Sequence, residues 1–212
     1  MHLAHEEELL RSDVVANRSM NRTRPLTGRD SYRTALAFDI VAHQPATWLD
    51  LCCGSGKALI DAAALLPGTA ITGLDLVDQF TTATAATVDL VAAPVSAWQP
   101  EHRYDLITCV HGMHYIGDKL GTLTRAVQWL APKGVFVANF DATAVRDRDG
   151  NPLNVTKALR AADFDYNART RRIRKIGPDT TPFPWRYLGA DKSAGPNYTG
   201  QPAVDSYYGS HG

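Results

Sequence analysis

The sequence predicts an α/β protein with a mostly parallel central sheet, and three observations support this. An apolar run that begins at Trp48 ends in Gly54-Ser55-Gly56, and the helical pattern Ala58–Leu66 follows at once. A second apolar run, residues 70–75, ends in an acid, and a third, residues 104–110, leads into another helical pattern. Because strands that alternate with helices normally lie parallel in one sheet, this order predicts successive βα units.

The individual elements follow from the same patterns. The predicted strands of the sheet are residues 47–52, 70–75, 88–92, 104–110 and 134–139, with residues 183–188 as the last strand. Helices are predicted within the acid-rich residues 1–20, from Tyr32 to about Ala42 behind the cap Asp30-Ser31, at Lys119–Leu130 and at Thr156–Phe164. Residues 78–87 lack an amphipathic stripe, so a turn or loop is expected where a crossover helix normally covers the sheet.

Composition limits the class of protein. The 212 residues are 44% hydrophobic and 21% charged, which is typical of one globular domain with a full core. Basic and acidic residues balance at 22 each, and this zero net charge disfavours a chain that coats nucleic acid or a membrane. The apolar runs are too short to span a bilayer, and Cys52, Cys53 and Cys109 have no zinc spacing. We therefore expect a cytoplasmic protein with reduced cysteines and no metal.

The turn after the first strand has the features of a ligand site. Gly54 and Gly56 carry no Cβ, so a ligand can lie against bare backbone at the start of a helix. Asp50, at the end of a buried strand, needs hydrogen-bond donors from the turn amides or from a cationic ligand. Asp75, at the tip of the second strand, can accept bonds from both hydroxyls of a ribose.

Two ligands share this geometry, a nicotinamide dinucleotide and S-adenosyl-L-methionine (SAM). A dinucleotide site requires G-x-G-x-x-G, but Cys52 stands at the first glycine and Ile60 lies near the third. The Asp50 carboxylate would also repel a pyrophosphate, whereas it suits an amino acid that carries a sulfonium. The residues therefore favour SAM.

Two stretches resemble class I SAM-dependent methyltransferases. Residues 50–56 resemble the D-x-G-C-G-x-G motif, with Cys52 in place of one glycine. Residues 104–118 are similar to the D-L-V-x-x-x-x-x-L-H-H-x-x-D stretch of many small-molecule methyltransferases, and Pro132-Lys133-Gly134 to the turn before the fifth strand. The resemblance covers roughly residues 45–140. It implies a Rossmann-like sheet of seven strands, with helices on both faces and an antiparallel strand in the last pair.

The resemblance further implies that SAM is the methyl donor and S-adenosyl-L-homocysteine (SAH) the product. Their site lies at the carboxyl ends of the strands. Its predicted residues are Tyr32, Asp50, Cys52, Gly54, Gly56, Asp75, Leu76, Val95, Ser96 and Val110. An acid that is common in the adenine loop of the family is missing after the third strand, where Trp98 either stacks on the purine or caps the core.

The catalytic candidates are His111, His114 and Tyr115. His111 follows the tip of the fourth strand, where a transferred methyl group would arrive, and histidine has a suitable intrinsic pKa for a general base near neutrality. His114 resembles a family histidine that is usually packed or hydrogen-bonded, which favours a structural role. In-line positioning of nucleophile and sulfonium can supply much of the rate, so a base is not required for activity.

Two segments outside the core are predicted to form a lid and the substrate pocket. One is an arginine-containing loop that carries Arg22 and Arg24, and the other is an aromatic tail that carries Tyr198 and Tyr207. Arginine and tyrosine walls suit an acidic or phenolic small molecule. The predicted division is a helical cap (1–44), a SAM-binding domain (45–188) and a tail (189–212) that folds back on the body or docks on a second subunit of a homodimer.

Two alternatives remain open. Residues 169–175 carry a run of basic side chains that could meet RNA phosphates, which would indicate an RNA or peptide methyltransferase. The run could equally be an edge strand protected by charge, which is favoured because the rest of the chain is not basic. A SAM-binding module or partner subunit without its own catalysis is the second alternative, supported by Cys52, the missing adenine-loop acid and the thin crossover.

Overall fold

The main sheet has seven strands, of which five neighbouring ones are parallel. A computed structural model describes residues 2–16 and 23–210 of the chain. The strands of the sheet are β1 (Thr47–Leu51), β2 (Ala70–Asp75), β3 (Val88–Ala92), β4 (Tyr104–Cys109), β5 (Leu130–Asn139), β7 (Asp165–Asn167) and β8 (Arg172–Ile176). Their order is β3-β2-β1-β4-β5-β8-β7, and β8 runs antiparallel to both of its neighbours. The predicted seven-stranded, mostly parallel sheet with an antiparallel strand in its last pair is confirmed.

Helices cover both faces of this sheet. They are α2 (Tyr32–Leu36), α3 (Ile40–His43), α4 (Lys57–Leu65), α5 (Lys119–Gln128) and α6 (Thr156–Ala161), whereas α1 (Glu6–Leu10) packs outside these two faces. Alternate side chains of a strand point to opposite faces. Accordingly, Trp48 of β1 packs with α2, α3 and α4 in one apolar cluster, whereas Leu49 and Leu51 pack with α5 and α6 in another.

The predicted helix from Tyr32 to about Ala42 is wrong as a single element. It is broken at Ala37, which has left-handed backbone angles (φ 49°, ψ 40°). Two local caps explain the break. Ser31 accepts a bond from the Thr34 N–H and starts α2, and Asp39 accepts one from the Ala42 N–H and starts α3.

The connection between β2 and β3 contains no helix, as the sequence predicted. Residues 76–87 form turns and irregular backbone. β3 lies at the edge of the sheet, and no residue of it is fully buried. This side of the sheet is therefore thinly covered.

A second, three-stranded sheet is formed by β6 (Val145–Asp147), β10 (Asp205–Ser210) and β9 (Trp185–Asp191), in the order β6-β10-β9. The strand predicted at residues 183–188 therefore belongs to this sheet and not to the main one. β9 also runs across position 188, where a boundary with the tail is predicted. Residues 172–175 of the basic run lie in β8, which is not an edge strand, because β7 pairs with its outer side.

The two ends of the described chain meet beside this second sheet. Ala4 pairs with Ala190 of β9, and Leu9 of α1 packs in one cluster with Ala190 and Val204. Lys192 also forms an ion pair with Glu8 at 2.7 Å. None of the helices in residues 2–16 and 23–210 is both long and apolar enough to cross a membrane.

Candidate active site

A cavity of about 360 Å³ opens at the carboxyl ends of β1, β2 and β4. Eight of the predicted cofactor residues line it, namely Tyr32, Cys52, Gly54, Asp75, Leu76, Val95, Ser96 and Val110. Residues of α1, including Glu6 and Leu9, also line the cavity, as do Thr199 and Gln201 of the tail. The cavity is therefore built jointly by the sheet and by the two ends of the chain.

The β1 turn depends on three residues with left-handed backbone, Cys52 (φ 58°), Gly54 (φ 63°) and Gly56 (φ 76°). Gly56 is the N-cap of α4 and lies outside the cavity wall, where an added Cβ would lie 2.9 Å from a side-chain carbon of Leu90. Cys52 accepts the same strained conformation with a side chain. Its Cβ and thiol fill the space in which a Cβ of residue 112 would lie, so Cys52 is compatible with this turn because residue 112 is glycine.

The Cys52 thiol is not activated. A hydrogen bond with Cys109 and burial both raise the pKa of Cys52 well above its ordinary value. The thiol therefore stays protonated and contributes an apolar surface to the cavity wall rather than a nucleophile.

Asp75 is held at the end of β2 by two backbone donors. The Gly54 N–H donates to Oδ2 at 2.8 Å, and the Val77 N–H donates to Oδ1 at 3.2 Å. The side chain lines the cavity and is mostly buried. A carboxylate fixed in this way presents its oxygens at a defined place, which suits the recognition of neighbouring hydroxyls.

Asp50 lies beneath the cavity and does not line it. Tyr32 donates to Oδ2 at 2.6 Å, and Thr108 donates to Oδ1 at 2.5 Å. The turn amides were one expected source of donors for Asp50, but the donors in the structure are these two hydroxyls. Burial raises the pKa of Asp50 to about 7. Thr108, which also accepts a bond from Trp48 Nε1 at 2.8 Å, was not predicted as a site residue.

His111 lies two residues after the end of β4 and lines the cavity. Its backbone is left-handed (φ 58°), and its N–H donates to Asn139 Oδ1 at 3.3 Å. Burial, together with the nearby Arg24 guanidinium, lowers the pKa of His111 to about 4. Its imidazole is therefore neutral at neutral pH and can accept a hydrogen bond, but it is a weak base.

The other two catalytic candidates occupy different environments. His114 is buried outside the cavity wall, with its ring stacked on His111 at a centroid distance of 6.0 Å. Burial lowers its pKa to about 3, and among the described residues its Nε2 has no hydrogen-bond partner. Tyr115 lines the cavity, and burial raises its pKa to about 12. His114 is thus placed for packing, whereas Tyr115 can reach a ligand as a neutral phenol.

The predicted substrate residues are only partly brought together. Arg24 lines the cavity, and its Nη1 donates to the Asp30 carbonyl at 2.6 Å. The Tyr198 hydroxyl lies 3.4 Å from His111 Nδ1, beside the cavity rather than on its wall. Tyr207 is buried in β10 and does not reach the cavity. Arg22 falls outside the described residues.

Several cavity residues were missed by the sequence reasoning. The polar ones are Glu6 of α1, Asp30 before α2, Asp118, Thr122 and Arg125 near or on α5, and Thr199 and Gln201 of the tail. Asn139 was also missed, although a polar residue at the carboxyl end of an apolar strand is a detectable signal. The α1 and tail residues carry no local signal, because only the long-range pairing of the chain ends brings them to the site.

Most of the basic run is paired inside the protein. Arg171 lies 3.4 Å from Asp141 and stacks on Tyr198 at 4.3 Å, and Lys175 lies 2.9 Å from Asp163. Arg172 donates to two backbone carbonyls of α2. Side chains engaged in this way are not arranged as a phosphate-binding surface, which disfavours the nucleic-acid interpretation.

Comparison with known proteins finds a sequence match to one family model. Residues 21–174, more than half of the chain, match the model described as a methyltransferase domain. No curated protein matches the sequence.

Solved structures with a similar arrangement include the plantazolicin methyltransferase BpumL with SAH (17% identity, TM-score 0.46, 50% of this chain and 45% of that one). A second is an O-methyltransferase of a trans-AT PKS multienzyme from Brevibacillus brevis with SAH (18% identity, TM-score 0.43, 50% of this chain and 39% of that one). A third is CalS10, an amino pentose methyltransferase from Micromonospora echinaspora with SAM (22% identity, TM-score 0.40, 50% of this chain and 47% of that one). The chain spans less than half the length of these proteins, and at these identities the likeness concerns the fold alone.

Proposed function

The chain belongs to the methyltransferase domain family of SAM-dependent enzymes, and on this premise we propose that it transfers a methyl group from SAM to an acidic or phenolic small molecule. The observation that carries the proposal is the composition of one cavity. It brings Asp75, suited to a ribose, together with Arg24 and His111, suited to an acceptor that carries an oxygen. The acceptor atom would be oxygen, nitrogen or carbon.

The residues of the cavity fit SAM. A volume of about 360 Å³ lies in the range of small-molecule sites. Asp75 would accept the ribose hydroxyls, Cys52 and Gly54 would lie against the amino-acid part, and Val95 and Ser96 would flank the adenine. When bound, SAM supplies a methyl group activated by its sulfonium.

The chain's own contribution would be binding, orientation and exclusion of water. The Arg24 guanidinium would pair with the negative charge of a carboxylate or phenolate acceptor. The neutral His111 imidazole would accept a hydrogen bond from an acceptor hydroxyl, with Tyr198 beside it. Because His111 is a weak base, positioning of the acceptor would contribute more to the rate than proton removal.

Binding of the cofactor is tested first, by calorimetry of the purified protein with SAH, SAM and NAD. We expect micromolar or tighter binding of SAH and SAM and none of NAD. Absence of heat with both SAM and SAH, together with clear binding of NAD, would overturn the cofactor assignment.

The acceptor class is tested by measuring SAH release with panels of aromatic carboxylates, phenols, amines, peptides and RNA. Turnover confined to the carboxylates or phenols is expected. Turnover on RNA or peptides alone would replace the proposed acceptor. Tight SAM binding with no turnover on any panel would instead favour a module without its own catalysis.

A further inference from the structure

The short helix α2 is held at its carboxyl end by side chains of the sheet. Arg172 of β8 donates from Nε to the Ala35 carbonyl and from Nη2 to the Thr34 carbonyl, each at 2.9 Å. Asn139 of β5 donates from Nδ2 to the same Ala35 carbonyl at 3.1 Å. The last carbonyls of a helix have no partners within the helix, so these three bonds replace missing ones.

The helix α2 contributes one wall of the cavity. Tyr32 is its first residue, lines the cavity and donates to Asp50. A helix of five residues has few hydrogen bonds of its own and does not hold its position independently. The position of Tyr32 therefore depends on what anchors the other end of the helix.

Asn139 also contacts the second wall. Its Oδ1 accepts the N–H of His111, the residue that turns the chain away from β4. The Asn139 side chain is almost completely buried, so it is not free to exchange these partners for water. One amide thus joins the α2 end to the β4 turn.

We propose that Arg172 and Asn139 are positioning residues, which hold α2 and the β4 turn in the arrangement that directs Tyr32 and His111 into the cavity. The proposal rests on the proposed function, because it assigns these two walls to the SAM and acceptor site. It also gives the basic run a role, since Arg172 acts on backbone carbonyls inside the molecule rather than on an external phosphate.

The first test needs no ligand. Trp48 Nε1 donates to Thr108, Thr108 donates to Asp50, and Asp50 accepts from Tyr32. The indole N–H resonance of Trp48 therefore reports a displacement of α2. We expect Arg172→Gln and Asn139→Asp to shift this resonance, and Arg172→Lys to restore part of the parent position.

Arg174→Gln is the matched control. Arg174 lies two residues further along β8, hence on the same face, and its guanidinium is 5.9 Å from the Phe38 ring centroid rather than on a carbonyl of α2. It should leave the Trp48 resonance unchanged. Equal shifts from Arg172→Gln and Arg174→Gln, or a shift from neither, would overturn the proposal.

The second test is a double-mutant cycle on SAH affinity. Arg172→Gln should raise the Kd for SAH at least fivefold, whereas Arg174→Gln should change it less than twofold. If Arg172 acts through the wall that Tyr32 forms, the effect of Arg172→Gln should fall below twofold in a Tyr32→Ala background, in which that wall is absent. The same fold-change in both backgrounds would show that Arg172 stabilises the fold in general and does not position Tyr32.

The two hypotheses can fail separately. A parent protein that binds neither SAH nor SAM would sink the proposed function, and the Trp48 resonance would still decide whether Arg172 and Asn139 set the position of α2. A parent protein that binds SAH normally, with Arg172→Gln binding it equally well, would sink only the positioning role.

Discussion

Two aspartates at the ends of neighbouring strands occupy very different surroundings. Asp75 faces the cavity and accepts hydrogen bonds from two backbone N–H groups. Asp50 is completely buried and accepts from two hydroxyls. Desolvation outweighs these two bonds and raises the pKa of Asp50 to about 7. One carboxyl is therefore suited to ligand recognition and the other to internal structure.

Replacement of Asp75 by alanine should weaken cofactor binding. Loss of two charge-assisted bonds to a ribose, each worth roughly 1.5–3 kcal/mol, should raise the Kd for SAH at least tenfold. The Gly54 and Val77 N–H groups would also lose their acceptor, so a small loss of stability is expected. Calorimetry measures the affinity, and Asp89→Ala, an exposed acid on the neighbouring β3, is the control. Unchanged SAH binding by Asp75→Ala would show that the carboxylate serves only the turn.

Asp50→Asn should change how stability depends on pH. In the folded chain the Asp50 carboxyl keeps its proton up to about pH 7, against an ordinary pKa of 3.8. Between these values the unfolded chain binds fewer protons, so the contribution of Asp50 to stability falls as pH rises. The neutral variant escapes this loss. As pH rises from 4 to 8, the free energy of unfolding of Asp50→Asn should therefore rise by roughly 2–4 kcal/mol relative to that of the parent.

Urea unfolding of both proteins at several pH values measures the change. Asp105→Asn is a useful comparison, because that carboxylate accepts from the Ala46 and Thr47 N–H groups near the opposite end of β1. If the free energies of unfolding of the parent and Asp50→Asn differ by a constant amount across this pH range, Asp50 is ionised in the folded chain at acidic pH.

At the scale of elements, the strand β10 is hydrogen-bonded to the first turn of α5. The Tyr208 hydroxyl accepts from the Leu120 N–H at 2.9 Å and donates to Asp118 Oδ1 at 3.0 Å. Lys119 is also buried and donates to the Val204 carbonyl and to Ser206 Oγ, and burial lowers its pKa to about 7. Polar bonds in the interior thus join the second sheet to a wall of the cavity.

Tyr208→Phe should weaken the attachment of β10 to the start of α5. It leaves the Leu120 N–H without an acceptor, so we expect a loss of about 1–3 kcal/mol in the free energy of unfolding. The neighbour Tyr207 is buried in the same strand and has no hydroxyl hydrogen bond among the residues described, so Tyr207→Phe should cost less than about 1 kcal/mol. Denaturant unfolding compares the two, and equal losses would contradict the attachment.

The elements of the main sheet could be predicted closely from the sequence, and those of the second sheet could not. β1 to β4 begin and end within one residue of their predicted bounds, because apolar runs of these strands stop at turn residues. β6 is only three residues long, and the assignment of residues 185–191 to a second sheet depends on a partner distant in sequence. Ala37 was missed because its left-handed conformation is unusual for a residue with a Cβ.

At the scale of the whole molecule, segments far apart in sequence line the cavity, and the hydrophobic periodicity of the sequence does not show that they meet. The place of Cys52, Gly54 and Asp75 in the cavity wall could be predicted, because these residues lie at strand ends. Glu6, Thr199 and Gln201 could not, since they reach the cavity only through the pairing of the two chain ends. The tail was predicted to supply aromatic walls, but its contacts with the cavity come from Thr199 and Gln201 instead.

Removal of the tail loop should distinguish a pocket wall from a dimer arm. Pro196 and Pro202 pair across the loop, so residues 197–201 can be replaced by two glycines without disturbing β9 or β10. We expect impaired turnover, an SAH affinity changed less than threefold and an unaltered oligomeric state. Light scattering and SAH release measure the outcome. A shift from dimer to monomer with intact turnover would assign the loop to a subunit interface.

The pairing of Ala4 with Ala190 also has a consequence for biosynthesis. A ribosome makes the first of these residues long before the second, at about 5–20 residues per second. The central strands can pair as they emerge, whereas α1 must wait for β9 before it has a surface to pack on. The part of the cavity wall formed by the strand ends would therefore exist on the nascent chain before the part formed by α1 and the tail. Completion of the ligand site is then a later event than pairing of the central strands, because it requires a contact between two residues far apart in sequence, Ala4 and Ala190.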